Sequence, residues 1–409
     1  MAIDPEELKK NRQQRKKNRQ SKMRKSRVRF LIIGAVAVVV LALVIGLISC
    51  QKNSSSDASK PDAPVAADTV VHLAAAGDLN VTEKVVAAGG AHYDYTNTFM
   101  DVLPILAEAD LSMLNFEGNF YGAPYGTDRS APPELAQALS RAGVDLVQLA
   151  NSYSIYKGMD GLSKTINTLR SSGLEPLGAY ATSAQARAAK GYTIRQVEGI
   201  KIAFVAFTKG MDGMALPEGN ESCVNLLYTD YSTDYQKVDT AGITKIMDAV
   251  NKENPDLTVV LVHWGSEFNN NISETQEKIC NLLQSKGADA ILGTHPHYVQ
   301  KMEFNPQDGT FVAYSLGDFI SDGVKAGSEY SVILDLEVTK SGATGQTQIT
   351  NFTYTPIFTV AEPEKPLKIL RIASARKAYE DGFLGKVTPE TYEAMGYALT
   401  RIEERIAGK

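Results

Sequence analysis

Short apolar runs alternate with amphipathic stretches through most of the chain beyond its first seventy residues, and this alternation limits the folds that are open to it. Six runs of strand length are separated by segments such as 161–173 and 273–287, whose apolar residues have helical spacing. The second segment begins with Ser273 and Gln276 in capping-box spacing and ends at Gly287. Strands that alternate with helices of this length predict an α/β fold with helices on the faces of the sheet.

Three later strand-like segments follow one another without helices between them. They are 311–320, 330–338 and 347–360, and the last two are rich in β-branched and aromatic residues. We expect these strands to form an antiparallel portion that packs on the first. Residues 366–409 have mostly helical spacing and form a predicted C-terminal helical segment, so that the main domain is expected to span 69–365.

The N-terminal region predicts a membrane anchor. Residues 31–49 contain no charge and no proline, and nineteen such residues can cross a hydrocarbon core of ~30 Å at ~1.5 Å per residue. Residues 1–30 carry twelve Lys or Arg against three acidic residues, which predicts that the N-terminus stays in the cytoplasm. We therefore expect a single-pass transmembrane helix with the rest of the chain outside the cell. The alternative is a lipoprotein, because the residues before Cys50 resemble a lipobox.

Composition adds three expectations. Residues 50–68 are rich in Ser, Ala, Asp and Pro and predict a disordered linker. The chain carries a net charge of −5, so the part beyond the basic N-terminal segment is strongly acidic, which argues against nucleic acid as its partner. Cys223 and Cys280 do not make a disulfide framework, and both a pair and two buried thiols stay open.

Polar side chains occupy the carboxyl ends of five strand-like runs. Ligands of α/β proteins gather beyond these ends, where the chain leaves each strand for its helix. Carboxylate, imidazole and amide donors together suit zinc, manganese or iron better than calcium or a thiolate site. The side chains concerned are Asp78, Asn115, Glu117, Asn151, His263, His295 and His297.

Several of these residues have ordinary structural explanations when each is taken alone. Asp78 follows a glycine at a strand end, where an aspartate is commonly a helix N-cap. Asn151 is equally a turn residue, and His263 could be a core histidine that is hydrogen-bonded to the backbone. Only their recurrence at one position of successive strands favours a common site.

The pair His295 and His297 is harder to explain by packing. The chain has only five histidines, and two of them flank Pro296. Proline stiffens the turn and fixes the two rings relative to one another. This arrangement suits two metal ions and predicts a metal centre at the strand ends.

The same residues carry a resemblance to the CapA family of bacterial poly-γ-glutamate capsule proteins. The domain of that family is similar to the calcineurin-like metallophosphoesterases. The resemblance runs in order from about residue 70 to residue 370. It is carried by "GD" at 77–78, "NFE" at 115–117, "AN" at 150–151, "HWGSEF" at 263–268, "GTHPHYVQ" at 293–300 and "YSLGDFI" at 314–320.

The resemblance implies a four-layer α/β/β/α sandwich with a centre of two divalent metal ions, manganese, zinc or iron. It implies that Asp78 and His297 serve one metal. It implies further that Asn151, His263 and His295 serve the other and that Glu117 bridges the two ions. Glu267 is a candidate for orienting the histidines and is taken with Tyr153 as a catalytic candidate.

The sequence also departs from the family pattern. The family commonly has Asn-Asn-His followed by Asp after the third strand, where this chain has Ser152, Tyr153 and Tyr156 in place of the last three. Tyr153 could donate a proton, but a phenol of pKa ~10 is a poorer acid at neutral pH than an imidazolium. Asn80 stands where the phosphoesterases have a second histidine ligand, and Asp318 stands where Asn is more usual.

Two functions follow as hypotheses. The first is a metal-dependent, phosphoesterase-like hydrolase of capsule or cell-envelope polymer biosynthesis, and the second is a non-catalytic protein that binds a polymer or assists its export. Whether the chain is an enzyme is left open at this point. The expected partners are poly-γ-glutamate or another envelope polymer, the lipid membrane and membrane capsule-synthesis proteins. A polyanion would need a local basic group or a metal, because the acidic domain repels it overall.

Overall fold

The computed structural model of the protein describes residues 66–362, 365–383 and 387–409. The predicted basic segment 1–30, the predicted anchor 31–49 and nearly all of the predicted linker lie outside these residues. Within the described part, no helix combines the length and the apolar content that are needed to cross a bilayer.

Two mixed β-sheets form the centre of the fold. The first has eight strands in the order β14-β13-β12-β1-β2-β3-β4, with β11 paired to β1 beside this path. Its strands are β1 (Thr69–Asn80), β2 (Leu111–Glu117), β3 (Leu146–Gln148), β4 (Glu175–Leu177), β11 (Asp318–Ile320), β12 (Tyr330–Lys340), β13 (Thr347–Val360) and β14 (Lys368–Arg371).

The second sheet has six strands in the order β5-β6-β7-β8-β10-β9. In it, β6, β7, β8 and β10 run parallel to one another, and the outer strands β5 and β9 run antiparallel to β6 and β10. The strands are β5 (Tyr192–Val197), β6 (Ile200–Thr208), β7 (Leu257–His263), β8 (Ala290–Thr294), β9 (Met302–Asn305) and β10 (Thr310–Ala313).

Ten α-helices lie among the described residues. The predicted capping box is confirmed, because the Ser273 hydroxyl accepts from the Gln276 amide and the Gln276 side chain accepts from the Ser273 amide. The helices are α1 (Glu83–Ala87), α2 (Thr96–Phe99), α3 (Leu103–Glu108), α4 (Pro133–Ala142), α5 (Gly158–Ser171), α6 (Ser183–Ala189), α7 (Thr240–Asn251), α8 (Glu274–Ser285), α9 (Ile372–Glu380) and α10 (Pro389–Ile406).

The second sheet has two apolar faces that pack against different partners. Along β6, Phe204 belongs to the large core that contains the residues of the first sheet. Its neighbours Val205 and Phe207 belong to a separate core with residues of α7 and α8, such as Met247 and Leu283. Alternate residues of a strand point to opposite faces, so the second sheet lies between the first sheet and these helices. The predicted α/β fold is thus confirmed as two mixed sheets with helices.

The antiparallel strands differ from the expectation in where they lie. They were expected to pack on the parallel portion, but β12 pairs along β1 from Thr69 to Ala75, and β13 and β14 follow it in the same sheet. The backbone N–H and C=O groups of β1 on the side away from β2 need hydrogen-bond partners, and β12 provides them. The C-terminal segment also begins with a strand, β14, before its two helices. Cys223 and Cys280 are both buried and unpaired.

Two glycines let the segment between β10 and β11 cross the ends of both sheets. A Cβ atom at Gly77 of β1 would lie 1.7 Å from the carbonyl oxygen of Gly317. A Cβ atom at Gly293 of β8 would lie 1.9 Å from the carbonyl oxygen of Tyr314. The amide of Asp78 donates to that same Gly317 oxygen at 3.0 Å. The crossing segment therefore ties the carboxyl ends of β1 and β8 together.

Candidate metal centre

The carboxyl ends of β1, β2, β7 and β8 meet at one place and bring imidazole and carboxylate groups together. Their possible ligand atoms form three groups, within each of which all the atoms lie within 4.8 Å of one another. The groups are Asp78 with His297 and Asp318, Glu117 with His263 and His295, and Glu267 with His295 and His297. We call these seven residues the histidine–carboxylate cluster. All of them except Glu267 are buried.

Asn115 of β2 lies at the middle of the cluster. Its side-chain nitrogen donates to Asp78 Oδ1 at 2.6 Å and lies 3.4 Å from His263 Nδ1. Its side-chain oxygen accepts from the Asn151 amide nitrogen at 3.0 Å. Asn115 thereby links residues of two different groups. The sequence placed it at a strand end but assigned it no role.

Asn151, a predicted ligand, lies beside the cluster with its side-chain amide fixed. Its nitrogen also donates to the Phe116 carbonyl at 2.7 Å, and its oxygen accepts from the Tyr153 backbone amide at 2.9 Å. An amide oxygen has two lone pairs, so one remains for a metal. Its role as a ligand stays a prediction.

The turn that carries His295 and His297 has an unusual backbone. The φ angles of these residues are +93° and +57°, a region that costs ~1–3 kcal/mol for each residue with a side chain. Asp78 Oδ2 accepts from the His295 backbone amide at 3.0 Å, and the Phe268 amide donates to the Pro296 carbonyl at 3.0 Å. These bonds hold the turn and keep the centroids of the two rings 6.1 Å apart.

His297 and Asp318 form a close buried pair. His297 Nδ1 lies 2.7 Å from Asp318 Oδ1, which also accepts from the Asn80 amide at 2.9 Å. Burial alone would lower the pKa of His297, but the Asp318 carboxylate raises it well above its usual value. Burial raises the pKa of Asp318 to about 7 despite the nearby imidazole. Both shifts mean that the pair retains a proton at neutral pH.

The other two histidines are neutral. Burial and the neighbouring His295 lower the pKa of His263 well below its usual value, and burial with the Lys209 ammonium lowers the pKa of His295 to about 3. His263 Nε2 lies 3.3 Å from Glu117 Oε1. Burial, with the charge of Asp78, raises the pKa of Glu117 well above its usual value. Neutral imidazole is the form of histidine that binds a metal.

The chemistry of these donors fits a divalent metal. Three buried carboxyl groups, Asp78, Glu117 and Asp318, share one site, and the charged form of each is destabilised by burial. A cation bound among them would neutralise these charges, which otherwise cost several kcal/mol each when ionised in the interior. Mixed nitrogen and oxygen ligands suit transition metals.

The comparisons with known proteins agree with the sequence resemblance. A family profile described as "Bacterial capsule synthesis protein PGA_cap" matches residues 72–323, which is more than half of the chain. The chain belongs to this family. The predicted family membership is thus confirmed.

Two curated members of similar sequence come from bacilli. "Capsule biosynthesis protein CapA" of Bacillus anthracis is 29% identical over 248 residues, which cover 59% of this chain and 56% of the relative. "PGA biosynthesis protein CapA" of Bacillus subtilis is 24% identical over 344 residues, with 82% and 83% covered. The match therefore spans little more than half the length of the first relative.

A solved structure, the calcineurin-like phosphoesterase YfkN from Bacillus subtilis, overlaps with a TM-score of 0.43 at 15% sequence identity. It covers 83% of this chain and 98% of the other. We draw no conclusion from a likeness of this size.

The two catalytic candidates of this PGA_cap chain lie at the edge of the cluster. The Tyr153 hydroxyl accepts a hydrogen bond from Arg129 Nη2 at 2.7 Å, and burial raises the pKa of Tyr153 to about 12. Glu267 Oε1 lies 3.9 Å from His297 Nε2, and contact with His297 lowers the pKa of Glu267 to about 2. Sequence reasoning missed Arg129, which lies in a short 3-10 turn without any periodic signal.

Metal binding to this cluster is expected to release protons and to tighten as the pH rises. The carboxyl groups of Asp78, Glu117 and Asp318 and the ring of His297 have raised pKa values, so protons compete with a metal for these groups and are displaced when it binds. The affinity should then rise by about tenfold per pH unit for each proton released, as long as the pH is below the pKa of the group, which is about 7 for Asp318.

Titration calorimetry with Mn²⁺ or Zn²⁺ in two buffers of different ionisation enthalpy measures the number of protons released. The Asp318→Asn variant is the matched control, because it lacks one of the protonated carboxyl groups and should release fewer protons. A heat of binding that is independent of the buffer would contradict the assignment of these groups as ligands.

Proposed function

We propose that this protein is a metal-dependent hydrolase of capsule or cell-envelope polymer biosynthesis. It would act on a phosphoester, or on an amide or ester bond, of such a polymer. The observation that carries this proposal is the histidine–carboxylate cluster, in which neutral histidines and buried carboxyl groups meet at adjoining strand ends. Membership of the capsule synthesis family supports the choice of pathway.

The proposed centre would hold two ions of manganese, zinc or iron. Asp78, His297 and Asp318 would hold one, His263, His295 and Asn151 would hold the other, and Glu117 would bridge them. Two of the groups of possible ligand atoms, Asp78 with His297 and Asp318 and Glu117 with His263 and His295, support the two halves of this division. The chemistry that bound divalent ions would supply here is the ionisation of a water molecule near neutral pH.

The other residues of the site would position groups and hold protons. Asn115 fixes Asp78 through the 2.6 Å hydrogen bond. Glu267 is half-exposed with a low pKa, so it would remain an anion that orients His297 rather than take up a proton. Tyr153 keeps its proton at neutral pH and could donate a hydrogen bond to a substrate oxygen.

The test is hydrolysis of bis-p-nitrophenyl phosphate and p-nitrophenyl acetate by the full chain with added Mn²⁺ or Zn²⁺. Turnover by the parent and a loss of ~100-fold or more in His263→Ala are expected, because the variant lacks a metal ligand. His92→Ala changes an exposed histidine and serves as the control. Equal turnover by the parent and the His263→Ala variant would exclude this cluster as the hydrolytic site.

The second candidate function is polymer binding without catalysis. It is favoured by the environment of Tyr153, which replaces the histidine of the usual family pattern. Its hydroxyl is bonded to Arg129 and its pKa is raised, so no group at this position can protonate a leaving group efficiently at neutral pH. A protein that binds metal and a glutamate polymer but turns over neither ester would be a binding protein.

The polymer that we propose is poly-γ-glutamate or another envelope polymer. The Bacillus subtilis relative is called a PGA biosynthesis protein, and a relative from Mycobacterium tuberculosis is called a probable polyglutamine synthesis accessory protein. Membrane proteins of capsule synthesis and the lipid membrane itself are the other proposed partners.

The protein is also proposed to be anchored in the cell membrane by residues 31–49, with the domain outside. We expect the full chain to sediment with membranes, because an uncharged run of this length is stable in a bilayer. Protease added to intact spheroplasts should digest the domain, because the domain would lie outside the cell membrane. Deletion of 31–49 should release it into the soluble fraction.

The Cys50→Ala variant separates the two kinds of anchor. A transmembrane anchor is unaffected by this change, whereas a lipoprotein would lose both its cleavage and its lipid. A full chain that remained soluble would contradict both.

A further inference from the structure

Arg129 lies beside the histidine–carboxylate cluster in a tight 3-10 turn, Thr127–Arg129. Its Nη1 donates to Asn80 Oδ1 at 3.3 Å, and Asn80 in turn donates to Asp318. Its Nη2 donates to the Tyr153 hydroxyl at 2.7 Å. The guanidinium is therefore connected to the cluster through Asn80, and it is hydrogen-bonded directly to the catalytic candidate Tyr153.

The position of this guanidinium is fixed by several contacts. Its central carbon lies 4.0 Å from the centroid of the Tyr153 ring, which packs edge-on against Tyr156 at 5.7 Å. Asp128 and Arg129 both have positive φ angles, +51° and +58°. Two successive residues with side chains adopt this backbone only when the surroundings enforce it. The turn thus places Arg129 at a defined point and not along an open surface.

Much of the hydrogen-bonding capacity of Arg129 is unused. A guanidinium has five N–H donors, and two of them go to Asn80 and Tyr153. Across residues 66–362, 365–383 and 387–409, no carboxylate lies within ion-pair distance of Arg129. The adjacent Asp128 pairs instead with Lys157, at 2.6 Å. A half-buried arginine with free donors beside a catalytic candidate is suited to an anion that arrives with a ligand.

The charge of the site favours the same conclusion. In the proposed function the carboxylates of Asp78, Glu117 and Asp318 face the two divalent ions. Arg129 then adds a positive charge that forms no ion pair with an acidic side chain of the described residues and acts on Glu117 and Glu267 only at longer range. The otherwise acidic domain thereby gains a local attraction for an anionic group at the edge of the cluster.

We propose that Arg129, held by Asn80 and Tyr153, binds an oxyanion of the substrate next to the bond that is cleaved. This inference rests on the proposed function and deepens it, since it names the chemical class of the substrate. The oxyanion is either a carboxylate of a polymer side chain or a phosphate, and both accept two parallel hydrogen bonds from arginine. Arg129 is in this sense a specificity-determining residue.

The test measures binding instead of turnover. A γ-linked glutamate tetramer and inorganic phosphate are titrated into the metal-loaded full chain, and the Kd of each is compared among the parent, Arg129→Gln and Arg129→Lys. We expect Arg129→Gln to weaken at least one probe by ~10–100-fold, as loss of a charged hydrogen-bond pair does. Arg129→Lys keeps the positive charge but lacks the planar guanidinium, so its Kd should lie between those of the parent and Arg129→Gln.

Lys157→Gln is the matched control, because it removes a nearby cation that is already paired with Asp128 and should leave both Kd values unchanged. If Arg129→Gln weakens binding of the tetramer alone, the bound oxyanion is a carboxylate. If it weakens binding of inorganic phosphate alone, the oxyanion is a phosphate. Equal Kd values in the parent and Arg129→Gln, no binding of either probe by the parent, or an equal loss in Lys157→Gln would overturn the proposal. So would a loss of bound metal in both Arg129 variants, since Arg129 would then be structural.

Failure of this inference is distinguishable from failure of the proposed function. If the parent hydrolyses the small esters while Arg129→Gln binds both probes normally, the proposed hydrolase stands and only the anion subsite is rejected. If the parent shows no turnover but binds the probes, and Arg129→Gln loses this binding, the anion subsite stands and the protein is a binding protein.

Discussion

Joint replacement of His295 and His297 by alanine is expected to abolish metal binding. Each of the three groups of possible ligand atoms contains at least one of these two histidines, so the double variant leaves none of the groups complete. Loss of a residue that hydrogen-bonds to a metal ligand costs ~10–100-fold in metal affinity, and loss of the ligands themselves costs more. Elemental analysis of the purified full chain should find metal in the parent and less than ~0.1 ion per chain in the variant.

The matched control is His92→Ala, which removes an exposed histidine outside the cluster. Circular dichroism should show that the double variant keeps its secondary structure, because the two rings lie at the edge of the sheets and not in either apolar core. Retention of stoichiometric metal by the folded double variant would show that the metal is held elsewhere.

Replacement of Gly77 by alanine is expected to destabilise the fold and to disrupt the cluster together. The new Cβ atom would lie 1.7 Å from the Gly317 carbonyl oxygen, so β1 and the crossing segment would have to move apart. Overpacking of this kind costs ~1–3 kcal/mol or more. The movement would also break the hydrogen bond between Asp78 and Gly317, and with it the placement of Asp78 near Asp318. Urea denaturation and metal content measure the two effects.

The control for this prediction is Gly396→Ala in α10. The nearest atom to the new Cβ is the end of the flexible Arg376 side chain, and alanine is the better helix former, so a neutral effect or a gain of up to ~1 kcal/mol is expected. A Gly77→Ala variant as stable as the parent and with full metal content would show that the crossing segment is free to shift.

Much of the cluster could be predicted because the carboxyl ends of parallel strands fall on one edge of a sheet. Asp78, Glu117 and His263 each close an apolar run that the sequence marks as a strand, so their positions followed from the period of the pattern. The structure brings them together with His295 and His297, as expected. What the pattern could not give is which sheet a strand joins. A period of two identifies β12 as a strand, but its pairing with β1 depends on an edge that only the assembled fold presents.

Residues that act through loops or through a single hydrogen bond were not predictable in the same way. Arg129 lies in a turn that has no apolar period and two positive φ angles, and its hydrogen bond to Tyr153 appears only in the folded chain. Asn115 was visible at a strand end, but an amide there is equally consistent with a turn or a cap. Asp318 was noticed only as a departure from the family, and its pairing with His297 depends on how β11 sits beside β1.

The turn from His295 to His297 has a consequence for how fast a metal ion is captured. Its shape is held by the Asp78 carboxylate and by the Phe268 amide, and neither contact requires a metal. The two rings are therefore set in place before any ion arrives, and the chain does not have to rearrange around it. Capture should be a single bimolecular event, whose observed rate rises in proportion to the metal concentration and does not level off at a loop movement.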